Sequence, residues 1–182
     1  MQRRILLAAG AALAAGCSTT PDPAKAEARR EDIDRQVDSA MAELLANTPG
    51  AREFVDAAQG VLVFPQVFTA GFLVGGSHGF GALRKGGTTA GYFSLAGGSV
   101  GLLAGAQTRT LFIFFLTPAA LGRLQQSEWT LGGNASAVVL DAGAIARLDR
   151  RNAPEIVALV RNQQGFMANL SLDGTRIRPL AI

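Results

Sequence analysis

Apolar and polar residues alternate with two different periods along this chain. From Ala24 onward, Ile33, Val37, Met41, Leu44 and Leu45 recur at helical spacing and share one face. Glu27, Arg29, Arg30, Glu31, Asp32, Asp34, Arg35 and Asp38 occupy the rest of that helix. Asn47, Thr48 and Pro49 end it. Thr48 and Pro49 also have the chemistry to open a second, short helix as N-cap and first residue, carrying Phe54, Val55, Ala57 and Ala58 as far as Gly60.

Beyond Gly60 the period shortens. Val61, Val63, Phe64, Val67, Phe68, Phe72, Val74, Phe80, Tyr92 and Phe93 are β-branched or aromatic and suit a pleated, half-buried surface. Twelve of the 22 glycines fall between Gly71 and Gly105, so these strands are expected to bend sharply or to touch another backbone. Short strands are predicted at 61–64, 72–74, 80–83, 92–96 and 99–104. The run TLFIFFL, residues 110–116, is apolar almost throughout and should be buried on both faces. Thr117 and Pro118 open a helix to about Gln126. Strands are predicted at 129–131 and 136–140 around Gly132, Gly133 and Asn134, and a hairpin of 156–160 with 166–172 over 162–165. Asp173 and Gly174 turn into a last strand at 175–178. The predicted class is α+β: a small antiparallel β-barrel or sandwich of about 8–10 short strands, with N-terminal helices and one mid-chain helix.

Charge narrows the range of partners. The formal net charge is +3, but without Arg3 and Arg4 the balance is 15 basic to 14 acidic residues. No basic run accompanies it, so nucleic acid is not an expected partner. Residues 22–56 hold nine acids against five bases, whereas a helix lying on a membrane usually carries lysine and arginine on its polar face. The apolar stripe of that helix is therefore expected to pack on the β core. Arg147, Arg150 and Arg151 form a modest basic loop, read as a solvated connection.

Catalytic chemistry has little to build on. Gly75-Gly76-Ser77-His78-Gly79 and Gly97-Gly98-Ser99-Val100-Gly101 both match G-x-S-x-G. A nucleophile elbow needs a strand-to-helix turn followed later by an acid and a histidine. His78 is the chain's one histidine; it precedes Ser99 and adjoins Ser77, so it cannot serve either serine well. The stretch from Gly81 to Thr88 has glycine where a phosphate loop needs lysine and reads as a hairpin bearing Arg84 and Lys85. One cysteine and one histidine build no common zinc site, and no metal or cofactor is expected. Glu128 and Asp141 are the only acids the β body offers for a glycosidase-like pair. An enzyme is not expected.

The first residues form a separate unit. Arg3 and Arg4 make a basic start, residues 5–15 an apolar run, and Ala14-Ala15-Gly16 stand directly before Cys17, the chain's one cysteine. This resembles the lipobox of bacterial lipoproteins, with Leu13 one place further upstream than the commonest pattern. The resemblance implies cleavage after Gly16 and acylation of Cys17, giving a signal peptide at 1–16, a lipidated tether at 17–23 and a domain at 24–182. Several acyl chains anchor firmly at about 0.8 kcal/mol per buried CH₂. Ser18 stands where an aspartate would suggest inner-membrane retention, so the expected address is the outer membrane, facing the periplasm.

Gly60-Val-Leu-Val-Phe-Pro65, Ala70-Gly71-Phe-Leu-Val-Gly75-Gly76, Gly79-Phe-Gly81, Gly105-Ala106-Gln107 and the late stretch from Gly165 to Thr175 together resemble a SYLF domain. That family includes eukaryotic lipid-binding and actin-patch proteins and many bacterial lipoproteins. The resemblance implies lipid or phosphoinositide binding through the first helix of the domain. Here that helix is net negative, which leaves Arg29, Arg30 and Arg35 as candidate contacts to anionic lipid headgroups. The function expected is that of a non-catalytic, lipid-anchored envelope protein that binds a lipid surface or an envelope protein partner. Carriage of a small apolar ligand inside the barrel, or a structural envelope module that binds another protein, stands as the alternative. Cys17→Ser should abolish incorporation of labelled palmitate, and unchanged labelling would remove the lipoprotein reading.

Overall fold

Gly86 and Gly87 turn the chain between its two longest strands. Both have left-handed φ values, 58° and 83°, as the two-residue turns that match the twist of a hairpin require. They join β1 (Gly60–Lys85) to β2 (Thr88–Phe115), paired antiparallel from Lys85 with Thr88 to Gly60 with Phe115. The computed structural model describes residues 22–126, 129–130, 137–148, 152–165 and 174–182. Gly16, Cys17, the turn at 132–134, Glu128, Arg150, Arg151 and the strand expected at 166–172 lie outside the described residues.

The short strands expected between 61 and 104 are successive stretches of this one hairpin, divided by register shifts between Phe64 and Val67, Phe72 and Val74, and Leu83 and Arg84. The hairpin folds back across itself. A Cβ placed on Gly81 would lie 2.0 Å from the carbonyl oxygen of Val63, and one on Gly79 would lie 2.9 Å from that of Gln66. The two halves of β1 therefore touch through backbone, which only glycine permits.

β2 is shared between further strands. Phe93 to Ala96 pair with β6 (Arg176–Pro179), and Gln107 to Phe115 pair with β5 (Ile156–Gly165). β3 (Trp129–Thr130) joins β6, and β4 (Val138–Leu140) runs parallel to β5. The result is a curled, mostly antiparallel sheet in the order β3-β6-β2-β5-β4, with β1 also on β2. The helices are α1 (Pro23–Asn47), α2 (Ala51–Ala57), α3 (Pro118–Gln126) and α4 (Ala142–Ile145). The fold is α+β, as the patterning predicts.

Alternation along β2 gives the sheet two apolar faces. Leu111, Ile113 and Phe115 join Leu62, Phe64, Leu83, Trp129 and the α3 residues Leu121 and Leu124 on the concave side. Phe112 and Phe114 face the other way, under Ile33, Val37 and Leu44 of α1 and Phe54 of α2. The run at 110–116 is thus buried on both faces, and the stripe of α1 is taken up by the sheet.

Two local expectations need correction. Thr48 and Pro49 do not begin α2. The Thr48 N–H instead closes α1 on the Leu44 carbonyl at 3.0 Å, and α2 starts after Gly50, whose φ is 82°. Residues 162–165 are not a turn: they continue β5, because Gln107 and Thr108 offer pairing partners to Gly165 and Gln164. At α3 the expected chemistry holds, with Thr117 Oγ1 accepting from the Ala120 N–H at 3.2 Å.

A polar clamp seats α1 on the hairpin. Asp34 accepts from the hydroxyls of Thr89 and Tyr92, each at 2.7 Å, and lies 3.3 Å from the Arg84 guanidinium. Arg84 also pairs with Asp38 at 2.5 Å and donates to the Asp34 backbone oxygen at 3.2 Å. Burial, and then the Asp34 carboxylate, push the Tyr92 phenol up to about 12. The acids of α1 that argue against a membrane-surface helix thus serve to attach it.

Two outcomes test this frame. Gly81→Val should destabilise the domain by about 3 kcal/mol or more in urea unfolding, since backbone and not a movable side chain is in the way. Gly98→Ala, with nothing within 4 Å of the added carbon, should stay within about 0.5 kcal/mol of the parent. Tyr92 is the single tyrosine, so its ionisation can be followed alone by near-ultraviolet absorbance. A phenol raised in the folded state adds stability below its unfolded value, and that stability is lost as pH climbs from about 10 through about 12. Asp34→Asn should bring the midpoint part of the way back toward 10, burial remaining.

Candidate functional site

The three arginines expected to meet headgroups all lie on α1, but they do not converge. Arg30 is spent within the fold: its Nε donates to the backbone oxygen of Ile182 at 2.9 Å and its Nη1 pairs with Glu27 at 3.0 Å. Arg35 is exposed and pairs with Asp32 one turn back, a contact of little energetic weight. Arg29 is different. It makes no ion pair among the described residues, and its guanidinium carbon lies 4.0 Å above the centre of the Phe80 ring. His78 meets the same ring edge-on at 4.4 Å.

Phe80 and His78 reach Arg29 because they alternate outward on β1, where α1 crosses the strand. Arg29, Ile33 and Gln36 from the helix, with Pro65, Phe68 and Phe80 from the strand, line a cavity of about 390 Å³. Phe68 is 53% exposed, far more than the buried aromatics of the sheet, and Val74 further along β1 is 65% exposed. A second cavity of about 490 Å³ continues along α1, sharing Gln36, Pro65, Gln66 and Thr108 with the first and reaching Glu43, Arg109 and Thr110. The two form one groove between helix and sheet. It offers a cation held on an aromatic ring at one end, with Asp32 and an apolar patch beside it, and amides, hydroxyls, Glu43 and Arg109 beyond. Such a lining suits an amphiphile with an anionic head.

Both G-x-S-x-G matches lie within strands. Ser77 pairs with Gly97 and Ser99 with Gly75 in the hairpin ladder, so neither sits on a strand-to-helix turn. No group of metal-binding side chains occurs among the described residues. No described helix is long and apolar enough to cross a membrane.

Patterning alone missed two groups. One is the clamp of Asp34, Arg84, Thr89 and Tyr92, which depends on contacts about 50 residues apart in the chain. The other is Arg109. It is 3% exposed in β2, its Nε has no hydrogen-bond partner among the described residues, and burial pushes its guanidinium below the ordinary arginine range. One signal was available for it: Arg109 is the only charge between Lys85 and Arg123.

No curated protein matches the chain. A family model does: the Ysc84 family, described as "Las17-binding protein actin regulator", matches residues 96–180, slightly less than half of the chain. The matched stretch holds most of β2 and everything from α3 to β6, the part of the sheet that closes on the hairpin. Over that stretch the chain is similar to the SYLF, or Ysc84, domain family.

Proposed function

We propose that this protein is a non-catalytic envelope protein, anchored through an acylated Cys17, whose domain binds anionic lipid at the groove between α1 and β1. The similarity of residues 96–180 to the SYLF family supports a binding module for lipid or an actin-related partner. The observation that carries the lipid reading is the position of Arg29: unpaired, exposed at the groove mouth, and stacked on Phe80 beside the half-exposed Phe68. A headgroup phosphate would meet the guanidinium while the first acyl carbons lie along Phe68 and Pro65. The apolar stripe of α1 is occupied by the sheet, so the helix would approach the membrane by this edge and not by inserting.

Carriage of an apolar ligand inside the sheet has less support. The concave face is occupied by side chains, among them Phe64, Phe115 and Trp129, all essentially fully buried. A protein partner in the envelope would find β4, which ends the sheet order and exposes Val138 and Val139.

Flotation of the soluble domain with vesicles containing phosphatidylglycerol tests the lipid reading. Binding should be present at low salt and weaken as salt screens the contact. Arg29→Gln should reduce it about fivefold, the loss of roughly 1 kcal/mol expected for one arginine at an anionic surface, and Arg30→Gln should reduce it less. No binding of the parent domain at low salt would reject direct lipid recognition.

A further inference from the structure

Phe80 carries two basic side chains. The Arg29 guanidinium carbon lies 4.0 Å above the centre of its ring, and the His78 imidazole meets the ring edge-on with centres 4.4 Å apart. His78 and Phe80 are two residues apart on β1, so strand alternation turns both to one face, the face that α1 crosses. His78 is exposed and lines the same cavity as Arg29, Asp32 and Phe68. It is the chain's one histidine. Neither G-x-S-x-G serine makes use of it, because both lie within the hairpin ladder.

Charge at this end of the groove is balanced. From α1, Arg29 and Asp32 line the cavity; from β1 and β2, the lining residues Pro65, Gln66, Phe68, Gly79, Phe80 and Thr108 carry no charge. Asp32 is also engaged along the helix by Arg35 and Gln36. With the imidazole neutral, one positive and one negative charge line the cavity. With it protonated, positive charge prevails. Histidine is the one residue type in this lining whose ordinary titration falls between about pH 5 and 8. Two cations on one ring repel each other, and an anion lying across both removes that repulsion.

We propose that His78 is a second headgroup contact of the groove, one that joins Arg29 only when protonated, so that an anionic phosphodiester headgroup is held more tightly as pH falls. This rests on the reading of the groove as a lipid site. Arg29 supplies a constant charge, since a guanidinium keeps its proton. His78 supplies a conditional one, and a protonated imidazole donates from both ring nitrogens. Phe80 holds the two side chains together, so one phosphate meets both with little further ordering.

Titration of the full chain with monomeric dihexanoyl phosphatidylglycerol, at about pH 7.5 and about pH 5.5 and constant ionic strength, tests the proposal. Binding is read from the amide NMR signals of Gly79 and Phe80, which are local to the groove, so lipid held elsewhere on the chain does not enter. The half-saturating concentration of the parent should be about fivefold lower at the acid pH, the effect of one added positive charge at an anionic headgroup. His78→Asn should bind equally at both pH values, as the parent does at the higher one. His78→Arg should also bind equally at both, as the parent does at the lower one; a histidine of merely structural importance would not give that result. A parent with no pH dependence, a His78→Asn that keeps it, or a His78→Arg that still shows it would overturn the assignment. Arg29→Gln keeps the two readings apart: if it weakens binding about fivefold while the parent shows no pH dependence, the groove stands and His78 falls. If Arg29→Gln changes nothing while the dependence on His78 holds, His78 stands and the role of Arg29 falls. No binding of the parent at either pH overturns both. Glycerophosphoglycerol, the same headgroup without acyl chains, separates the sources: binding at least about tenfold weaker identifies a lipid, and equal binding a free phosphodiester.

Discussion

The backbone crossing at Gly81 and Val63 governs the rest of this fold. The two halves of β1 approach so closely that a single methyl at Gly81 would overlap the Val63 carbonyl oxygen at 2.0 Å. No repacking of side chains relieves such a contact, because backbone is the obstacle. Once the hairpin crosses itself there, its inner face is committed to a curled core and its outer face is left for helices. The same crossing brings Gly79 against Gln66, next to the register shift at Pro65. The floor of the groove under α1 is therefore a by-product of how the sheet closes.

Placement of α1 decides which charges remain available. A count of nine acids against five bases over residues 22–56 suggests repulsion from anionic surfaces. The structure engages part of that excess. Asp34 and Asp38 are absorbed by Arg84, Thr89 and Tyr92, Asp32 by Arg35 and Gln36, and Glu27 by Arg30. Arg29 makes no ion pair among the described residues. One unpaired arginine on an aromatic ring is a weaker electrostatic feature than a basic helix face, but it is fixed in position, and fixed charges lose less entropy on binding.

Much of this architecture is legible in the chain. The stripe of Ile33, Val37 and Leu44, the doubly buried run through Phe112 and Phe114, and the Thr117-Pro118 start of α3 follow from period and capping chemistry, which are local. What was not legible depends on distance. Nothing near Thr48 says that its N–H closes α1 instead of its side chain opening α2; the left-handed Gly50, where an added Cβ would lie 3.2 Å from Ala146 Cα, ties that turn to a segment far along the chain. Glycine density announced bending but not that two expected strands at 61–64 and 80–83 are parts of one strand that cross. Of the three candidate arginines, sequence could name the set; only the positions of Phe80, Ile182 and Asp32 separate their roles.

The polarity of β2 carries the functional argument furthest. Between Leu111 and Phe115 both faces of the strand are sealed by large side chains, and stability there is shared by the whole domain. From Gln107 to Thr110 the strand is polar: Thr108, Arg109 and Thr110 border the groove under α1. A core strand that gives up apolar burial on both faces at one level loses stabilisation it could have had from valine or leucine. Local packing gives no return for that loss, since Arg109 Nε and Thr69 Oγ1 are left without partners. That level of an otherwise well-filled sheet is the one that borders the groove under α1.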